Sequence, residues 1–451
     1  MSSYHRRLLS LALLSGCGYL ALAASGDLTK RTGLYLAIHA VLFAAYILAV
    51  LTVLPARAHA QATPLSAKTI LGAAVVFRLL LVPTTPSLSG DIYRYIWEGK
   101  LQVHGINPYL YSPSDSHLTS LRDHVYQGVN YKDLPAIYPP MMEWAFALAA
   151  FIHPSFWVVK LLFVSADVAL IVLLCRLLRV RQRLADHVLL YAWNPLVIVE
   201  VASSGHNDPL AVLLLLAATL GIIGDRRVLS MMALGLSAAS KIFPLLLAPL
   251  FVRRRWWPAV MIPPVVVAVA YLPYSGAGWN LVRSLTQYAE RWRFNDSLFS
   301  LFERGIAWSG ISPVAKGWAD THGVDSLFTQ PHMLARGVAW LITLIVLARL
   351  ARLRWRADLP IERALYLFTA TMLLVQPTLH PWYLLWVLPW LALFPSPAWI
   401  ALSGLIPLAY LGGTWVRWAE YVPFYALLLG TTSLRGTRWG HVLDWSGEGG
   451  S

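Results

Sequence analysis

Long apolar runs alternate with short polar stretches along most of the chain. An α-helix needs about 20 apolar residues to cross the hydrocarbon core of a bilayer. The pattern predicts membrane-embedded helices near residues 8–24, 33–54, 68–83, 156–178, 186–203, 208–224, 257–273, 332–350, 361–377, 380–395, 398–412 and 419–434. The apolar segment 139–152 is shorter and is typical of an interfacial or re-entrant helix. We therefore predict an all-α, polytopic transmembrane helical bundle with about 12 to 14 membrane segments.

Short basic clusters between the apolar runs predict the orientation of this bundle. They lie at residues 176–183, 226–227, 253–255, 349–356 and 435–438. Loops that stay in the cytoplasm are enriched in Lys and Arg, so we expect all five clusters and both termini there. In a multi-pass protein of the cell membrane, the polar segments 84–155 and 275–331 then fall outside, as a first and a second outer loop.

The segment 228–251 is long enough to cross the membrane once, yet arginines precede it and follow it. Because both of its ends favour the cytoplasm, we predict that it enters the membrane and returns, with its apex at residues 240–244. Pro244 interrupts helical hydrogen bonding, and non-helical backbone at this depth is tolerated only where it lines a protein cavity. Lys241 at the apex then faces a polar chamber; the alternative is that its side chain snorkels to the interface.

Composition agrees with a single integral membrane domain over residues 1–451. The chain is 57% hydrophobic and 13% charged, which is too apolar for a water-soluble domain. Its net charge of +14 could indicate nucleic-acid binding, but the basic residues are confined mainly to short clusters between apolar runs, so we expect no nucleic-acid partner. Cys17 and Cys175 both lie in apolar stretches and predict no disulfide framework.

The first apolar run resembles a signal sequence in two places. Residues 14–17 imitate a lipoprotein signal that ends at Cys17, and residues 21–25 imitate a cleavage site. Since the apolar run continues past Cys17, we interpret it as an uncleaved first span, and whether Cys17 is lipidated stays open.

Residues 89–100, directly after the third predicted span, are typical of a helix start on the outer side. Asp91 is either a helix-capping carboxylate or a catalytic one. Arg94 lies one helical turn before Glu98 and is expected to pair with it.

Further polar and aromatic residues lie at predicted outer boundaries. His206 and Asp208 either contact substrate or begin and cap a helix, and His380 either binds substrate or is an interfacial aromatic residue. Another candidate is Tyr138, in an aromatic segment predicted to lie outside. Arg291 and Arg293 either bind substrate or belong to a loop that is solvated or binds lipid headgroups. None of the His and Asp residues has the spacing of a zinc site, so we expect no protein-bound transition metal.

Six short motifs join these residues in a consistent order. After Asp91 come Gly105-Ile106-Asn107-Pro108-Tyr109, Tyr138-Pro139-Pro140, Gly205-His206-Asn207-Asp208, Lys241-Ile242-Phe243-Pro244, Trp292-Arg293-Phe294-Asn295 and His380-Pro381-Trp382-Tyr383. Over residues 85–395 this order resembles the GT-C superfamily of polyprenyl-phosphate-sugar-dependent glycosyltransferases, and most closely its bacterial polyprenyl-phosphate-mannose-dependent mannosyltransferase-like members. The family often places its catalytic carboxylate after the first span, whereas three spans precede Asp91; two extra N-terminal spans in residues 1–67 explain the difference.

The resemblance implies an inverting transfer of a sugar, with mannose expected, from a polyprenyl-phosphate donor to a glycan or glycolipid acceptor on the outer side of the membrane. Asp91 would be the general base on the acceptor hydroxyl. Cations would neutralise the charge of the leaving phosphate. The candidates for this role are Lys241, Arg94, Arg291 and Arg293. His206, Asp208, His380 and Tyr138 would contact substrate. The implied partners also include membrane lipids; no cofactor is implied, although a divalent ion held jointly with the substrate phosphate stays open. The rival function is a transporter or flippase for lipid-linked glycans.

Overall fold

The structure is a computed structural model that describes residues 2–55, 62–323, 325–356 and 359–433. These residues form helices and connecting segments, and their one β-type pairing is an isolated bridge between Phe294 and Thr378. The predicted all-α fold is confirmed.

The α-helices of the first half are α1 (Ser3–Ala24), α2 (Thr32–Val53), α3 (Pro64–Leu81), α4 (Asp91–Val103), α5 (His124–Gly128), α6 (Pro140–Ile152), α7 (Phe156–Val180), α8 (Leu189–Ala192), α9 (Pro195–Ile198) and α10 (Asp208–Ile223). Those of the second half are α11 (Arg227–Ala238), α12 (Ala248–Phe251), α13 (Ile262–Tyr271), α14 (Asn280–Arg291), α15 (Leu298–Ser309), α16 (Ile311–His322), α17 (Pro331–Arg356), α18 (Ile361–Val375), α19 (Pro397–Leu405) and α20 (Thr414–Ser433). Short 3₁₀ and π turns connect several of them.

Long apolar helices account for about half of the predicted membrane segments. In the described ranges, six helical stretches are long and apolar enough to cross a bilayer: α1, α2, α3, α7, Trp256–Ala277 and α17. A seventh is the pair Pro195–Ser203 and Asp208–Ile223, which is bent by 120°. The predicted short helix at 139–152 appears as α6, with 13 residues.

Two predicted segments differ from a single helix. Residues 186–203 form a succession of short 3₁₀, α and π turns, and residues 380–395 form 3₁₀ turns at Pro381–Trp386 and Leu388–Ala392. The prolines at the starts of α9 and of the two later turns lack the amide hydrogen that a continuous helix would use. The prediction of a continuous helix was therefore wrong for both segments, because hydropathy shows only that their residues are apolar.

Residues 228–251 form a hairpin, which agrees with the shape predicted for them; that the hairpin enters a membrane stays a prediction. Helix α11 ends at Ala238, a break follows, and the chain turns back through Phe243–Leu247 and α12. The guanidinium of Arg227, at the start of the hairpin, lies 5.8 Å from the ring centroid of Trp256, just after its end. Both ends therefore lie on the same side of the bundle, with Lys241 in the turn.

Four of the five basic clusters lie at one end of the bundle. Arg181, Arg227, Arg253 and Arg354, one from each cluster, border a common cavity. The fifth cluster, at 435–438, lies outside the described residues. The grouping agrees with the expectation that these clusters share one side of the membrane, and the assignment of that side to the cytoplasm stays a prediction.

A buried ion pair connects the N-terminal helices to the rest of the bundle. The Arg78 side chain in α3 and the Asp167 side chain in α7 are fully buried, with 2.5 Å between Nε and Oδ2. Tyr191 donates to the other carboxylate oxygen of Asp167, and Arg78 donates to the carbonyls of Ala74 and Ala192 at 2.9 Å. Because each charge is matched by a partner inside the protein, the pair links α3 to α7 and α8.

We expect Asp167→Asn to destabilise the fold by about 3–5 kcal/mol, because it leaves the Arg78 charge buried without its partner. A denaturant titration of the protein in detergent measures the loss of unfolding free energy. The matched control is Asp27→Asn, which removes an exposed pair with Lys30 at 3.6 Å and should change stability little. Equal effects of the two substitutions would contradict a structural role for the buried pair.

Candidate active site

A cavity of about 430 Å³ lies where the segments predicted to be outer loops cover the breaks in the apolar helices. Its walls come from the start of α4, residues 130–139, helix α14 and the breaks before α10, after α11 and after α18. The polar side chains of its lining are Ser89, Asp91, Arg94, Asn130, Asp208, Lys241, Ser284, Gln376 and His380. Asp91 and Lys241, which are 150 positions apart in the sequence, thus share one cavity.

Asp91 is the first residue of α4, and its side chain is partly exposed to the cavity. The preceding Gly90 occupies the cap position, and the Asp91 carboxylate accepts its hydrogen bond from another element: the side-chain amide of Asn130 donates to Oδ1 at 2.8 Å. Asn130 therefore orients one oxygen of the Asp91 carboxylate, and Asp91 does not serve as a simple helix cap.

Lys241 forms an ion pair with Asp208, with 3.1 Å between Nζ and Oδ1. The indole of Trp386 donates to the same oxygen at 2.8 Å, and Nζ also lies 5.5 Å from the ring centroid of Tyr383. Asp208 is fully buried at the start of α10, and its Oδ2 has no hydrogen-bond partner among the described residues. The ammonium is thus held at the cavity wall by a buried carboxylate.

Arg94 is a buried residue whose guanidinium fixes the segment that covers the cavity. Its Nε donates to Glu98 at 2.8 Å, as the helical spacing predicted. Its two terminal nitrogens donate at 2.7–3.1 Å to the backbone carbonyls of Asn130, Tyr131, Leu134 and Pro135. These bonds use all five donors of a guanidinium. Although Arg94 lines the cavity, its geometry is that of a residue that positions Asn130, and it has no donor left for a phosphate.

His380 belongs to a column of stacked rings beside the cavity. Trp382 lies between His206 and His380, with ring centroids 3.7 and 4.3 Å apart, and Phe294 stacks on the other side of His380 at 4.4 Å. Among these four rings, those of His380 and Trp382 reach the cavity lining. His206 is fully buried behind Trp382. It therefore packs at the end of the ring column and is not placed to contact a substrate directly.

The two arginines of the second outer loop do not reach the cavity lining. Arg293 pairs with Asp296 at 3.1 Å and also with Glu303. Arg291 is exposed at the end of α14. Their placement separates both residues from the ammonium of Lys241 and favours a role within the loop.

Aromatic side chains form much of the remaining wall. Tyr138 lines the cavity and packs edge-on against Tyr95 at 5.2 Å between centroids. The hydroxyls of Tyr288 and Tyr383 lie 2.7 Å apart. Burial raises the pKa of Tyr288 to about 12, so its hydroxyl stays protonated at neutral pH and can donate a hydrogen bond.

Asn130 and Tyr288 are functional candidates that sequence reasoning missed. Both lie in the long outer segments, where neither periodicity nor a short motif marks them. In the described residues, no three His, Cys, Asp or Glu side chains come close enough to form a metal cluster. A divalent ion shared with a substrate phosphate stays an untested expectation.

Comparison with known proteins adds two family matches and one relative. The model for "Alpha-(1->6)-mannopyranosyltransferase, N-terminal domain" matches residues 13–256, and that for "Glycosyltransferase family 87" matches residues 136–377. Each match covers more than half of the chain, and the Lys241 hairpin lies in both. A probable alpha-(1->6)-mannopyranosyltransferase of Mycolicibacterium smegmatis is 25% identical over 381 aligned residues.

That alignment covers 72% of this chain and 64% of the relative, so the chain spans slightly less than two thirds of the relative's length. The resemblance inferred from the short motifs and the family matches agree. The chain belongs to the mannosyltransferase-like GT-C glycosyltransferases, in the families described as alpha-(1->6)-mannopyranosyltransferase and glycosyltransferase family 87.

Proposed function

We propose that the protein is an inverting mannosyltransferase that moves mannose from a polyprenyl-phosphate donor to a hydroxyl of a glycan or glycolipid acceptor. Family membership supports sugar transfer. The observation that carries the proposal is the single cavity lined by both the Asp91 carboxylate and the Lys241 ammonium. One group is suited to accept a proton and the other to stabilise a departing phosphate.

Asp91 acts as the general base in this proposal. The hydrogen bond from Asn130 to Oδ1 holds the carboxylate, and Oδ2 is available to an acceptor hydroxyl. The acceptor oxygen attacks the anomeric carbon as the bond from that carbon to the phosphate oxygen breaks, and the hydroxyl proton passes to Asp91. The polyprenyl phosphate leaves with the bonding electrons. A single displacement of this kind inverts the anomeric configuration.

Lys241 stabilises the negative charge of the phosphate in the donor and on the leaving group. A fixed cation at the position where charge develops lowers the barrier without reorganisation of water. The buried Asp208 holds the ammonium at 3.1 Å, and the start of α10 adds the positive end of a helix dipole. These features support Lys241 as the phosphate-binding group of the cavity that Asp91 also lines.

The other walls suit a ligand with a sugar and a lipid chain. Aromatic side chains, including Tyr138, Tyr288 and Tyr383, offer faces and hydroxyls to a sugar ring. Apolar side chains of the hairpin and of α18 offer a path for the prenyl chain, namely Ile242, Phe243, Met372 and Leu373. A cavity that is mostly apolar with a few convergent polar groups is typical of small-molecule sites.

We place the active site on the outer side of the cell membrane. Segments of both outer loops, 84–155 and 275–331, cover the cavity, whereas the described basic clusters lie at the other ends of α10 and α18. The positive-inside rule then assigns the clusters to the cytoplasm. A site covered by outer loops supports an enzyme over a flippase, whose site would lie near the midplane between related halves.

We expect Asp91→Asn to lower kcat by about 10²- to 10⁴-fold, because the amide cannot accept the acceptor proton as a carboxylate does. The purified protein, reconstituted with polyprenyl-phosphate mannose and candidate glycan acceptors, is assayed for release of polyprenyl phosphate by mass spectrometry. Asp133→Asn, an exposed carboxylate of the same outer loop, is the matched control and should keep wild-type turnover. Unchanged release by Asp91→Asn would remove Asp91 from the role of base.

We expect Lys241→Met to weaken donor binding by about 10- to 100-fold, the worth of a hydrogen bond to a charged group. Binding of a radiolabelled donor to the purified protein measures the change, and Lys132→Met, in the first outer loop, is the control. Because the substitution leaves Asp208 buried without its partner, the double variant Lys241→Met/Asp208→Asn tests binding without that charge. Wild-type donor affinity and rate in both variants would refute the phosphate assignment.

A further inference from the structure

Two buried glutamates meet where α4 packs against α6. Glu98 lies in α4, and Glu143 lies in the first turn of α6. The two helices are in close contact at Gly99, where an added Cβ would collide with the carbonyl oxygen of Phe146. Because the helices approach this closely, the two carboxyl groups come within hydrogen-bonding distance of each other.

Each carboxyl group uses one oxygen for another partner. Glu98 Oε1 accepts from Arg94 Nε at 2.8 Å. Glu143 Oε2 accepts from the side-chain amide of Gln102 at 2.9 Å, and the Tyr274 hydroxyl orients that amide by donating to its oxygen at 2.7 Å. The remaining oxygens, Glu98 Oε2 and Glu143 Oε1, are buried and receive no other hydrogen bond from the described residues. The hydrogen bond between the two side chains therefore joins these two oxygens.

The charges around the pair require one proton. An ionised carboxylate only accepts hydrogen bonds, so two carboxyl groups can bond to each other only if one is protonated. In the described ranges, the cation beside the pair is Arg94, whereas Asp91 adds a third carboxylate two helical turns before Glu98. Burial, and then the charge of Glu98, raise the pKa of Glu143 well above its usual value. Hydroxyls that are uncharged at neutral pH also lie close to the pair, namely those of Tyr109, Tyr138, Tyr271 and Tyr274.

Arg94 connects this pair of carboxyl groups to the candidate active site. Its terminal nitrogens donate to four backbone carbonyls between Asn130 and Pro135. The side chain of Asn130 in turn donates to the carboxylate of Asp91 at 2.8 Å. A continuous chain of contacts therefore runs from Glu143 to Asp91.

We propose that Glu98 and Glu143 share one proton and that Glu143 is a positioning residue for Asp91. The proton removes the second negative charge, so Glu98 keeps its ion pair with Arg94 and the guanidinium keeps segment 130–135 over the cavity. If both carboxyl groups were ionised, two like charges would lie in contact in a buried site that one cation serves. The inference rests on the proposed function, because it concerns the position of the general base.

Infrared spectroscopy of the full chain in detergent tests the shared proton without any substrate. At pH 7 an exposed carboxyl group, whose pKa is about 4, is ionised and gives no carboxylic-acid C=O band. We expect Glu143→Gln to lose the band of one protonated carboxyl group relative to the wild type. Asp133→Asn, the exposed carboxylate of the first outer loop, is the control and should lose none. An unchanged carboxylic-acid band in Glu143→Gln would overturn the proposal.

Turnover of polyprenyl-phosphate mannose tests the positioning role. Glu143→Leu removes the donor to Glu98 and should lower kcat by about 10- to 100-fold, because a slightly misplaced catalytic group loses rate. Donor affinity should stay unchanged, since Lys241 binds the phosphate. Glu143→Gln carries an amide N–H where the acid proton was and should restore most of the lost kcat. An equal loss of kcat in both variants, or a loss of donor affinity in Glu143→Leu, would overturn the positioning role.

The double variant Glu143→Leu/Asn130→Ala separates positioning from a general effect on the fold. If Glu143 acts through the segment that carries Asn130, the double variant should lose little more kcat than the more affected single variant. Independent effects would instead multiply, and that result would contradict the positioning role. A wild-type protein that releases no polyprenyl phosphate would refute the proposed function itself, and the infrared result would still decide whether the proton is shared.

Discussion

The structure depends on one constraint: backbone that is not helical inside an apolar bundle must be satisfied by the protein itself. Apolar segments break at 204–207, 239–242 and 376–380, and residues within or beside each break line the candidate active site. Neighbouring elements supply hydrogen bonds there; the Met141 amide donates to the carbonyl of Ala239 at 2.9 Å. The segments predicted to be outer loops cover the same place, so a polar cavity forms where continuous helices would have packed apolar side chains.

Two ion pairs differ in whether they are exposed to this cavity. Arg78 and Asp167 are both fully buried, and their opposite charges form an ion pair. Lys241 pairs with an equally buried carboxylate, Asp208, but 21% of its side chain is exposed and it lines the cavity. The same pairing chemistry therefore connects helices in the first case, and in the second it holds a cation at the cavity wall, where we propose that it binds a ligand. Exposure to the cavity distinguishes the two roles.

Much of this arrangement could be predicted from the sequence where charge interrupts the apolar pattern. Arginines at both ends of 228–251 predicted the hairpin, because one span cannot keep both ends on one side. The short motifs predicted that Asp91 and Lys241 belong to one site. Hydropathy did not separate 186–203 and 380–395 into short turns, since it measures apolarity and not helical continuity. The buried pair of Arg78 and Asp167 was missed because one charged residue hardly alters the mean hydropathy of a long apolar run.

The account of function is that a donor phosphate lies on Lys241 with its sugar directed to Asp91 in a single cavity. A cryo-electron microscopy structure with a non-hydrolysable polyprenyl-phosphonate mannose tests this most directly. The account predicts the phosphonate within about 4 Å of the Lys241 ammonium, the distance of an ion pair, and the anomeric carbon facing the Asp91 carboxylate. A ligand bound with its phosphonate in another part of the molecule, or with its sugar turned away from Asp91, would contradict it.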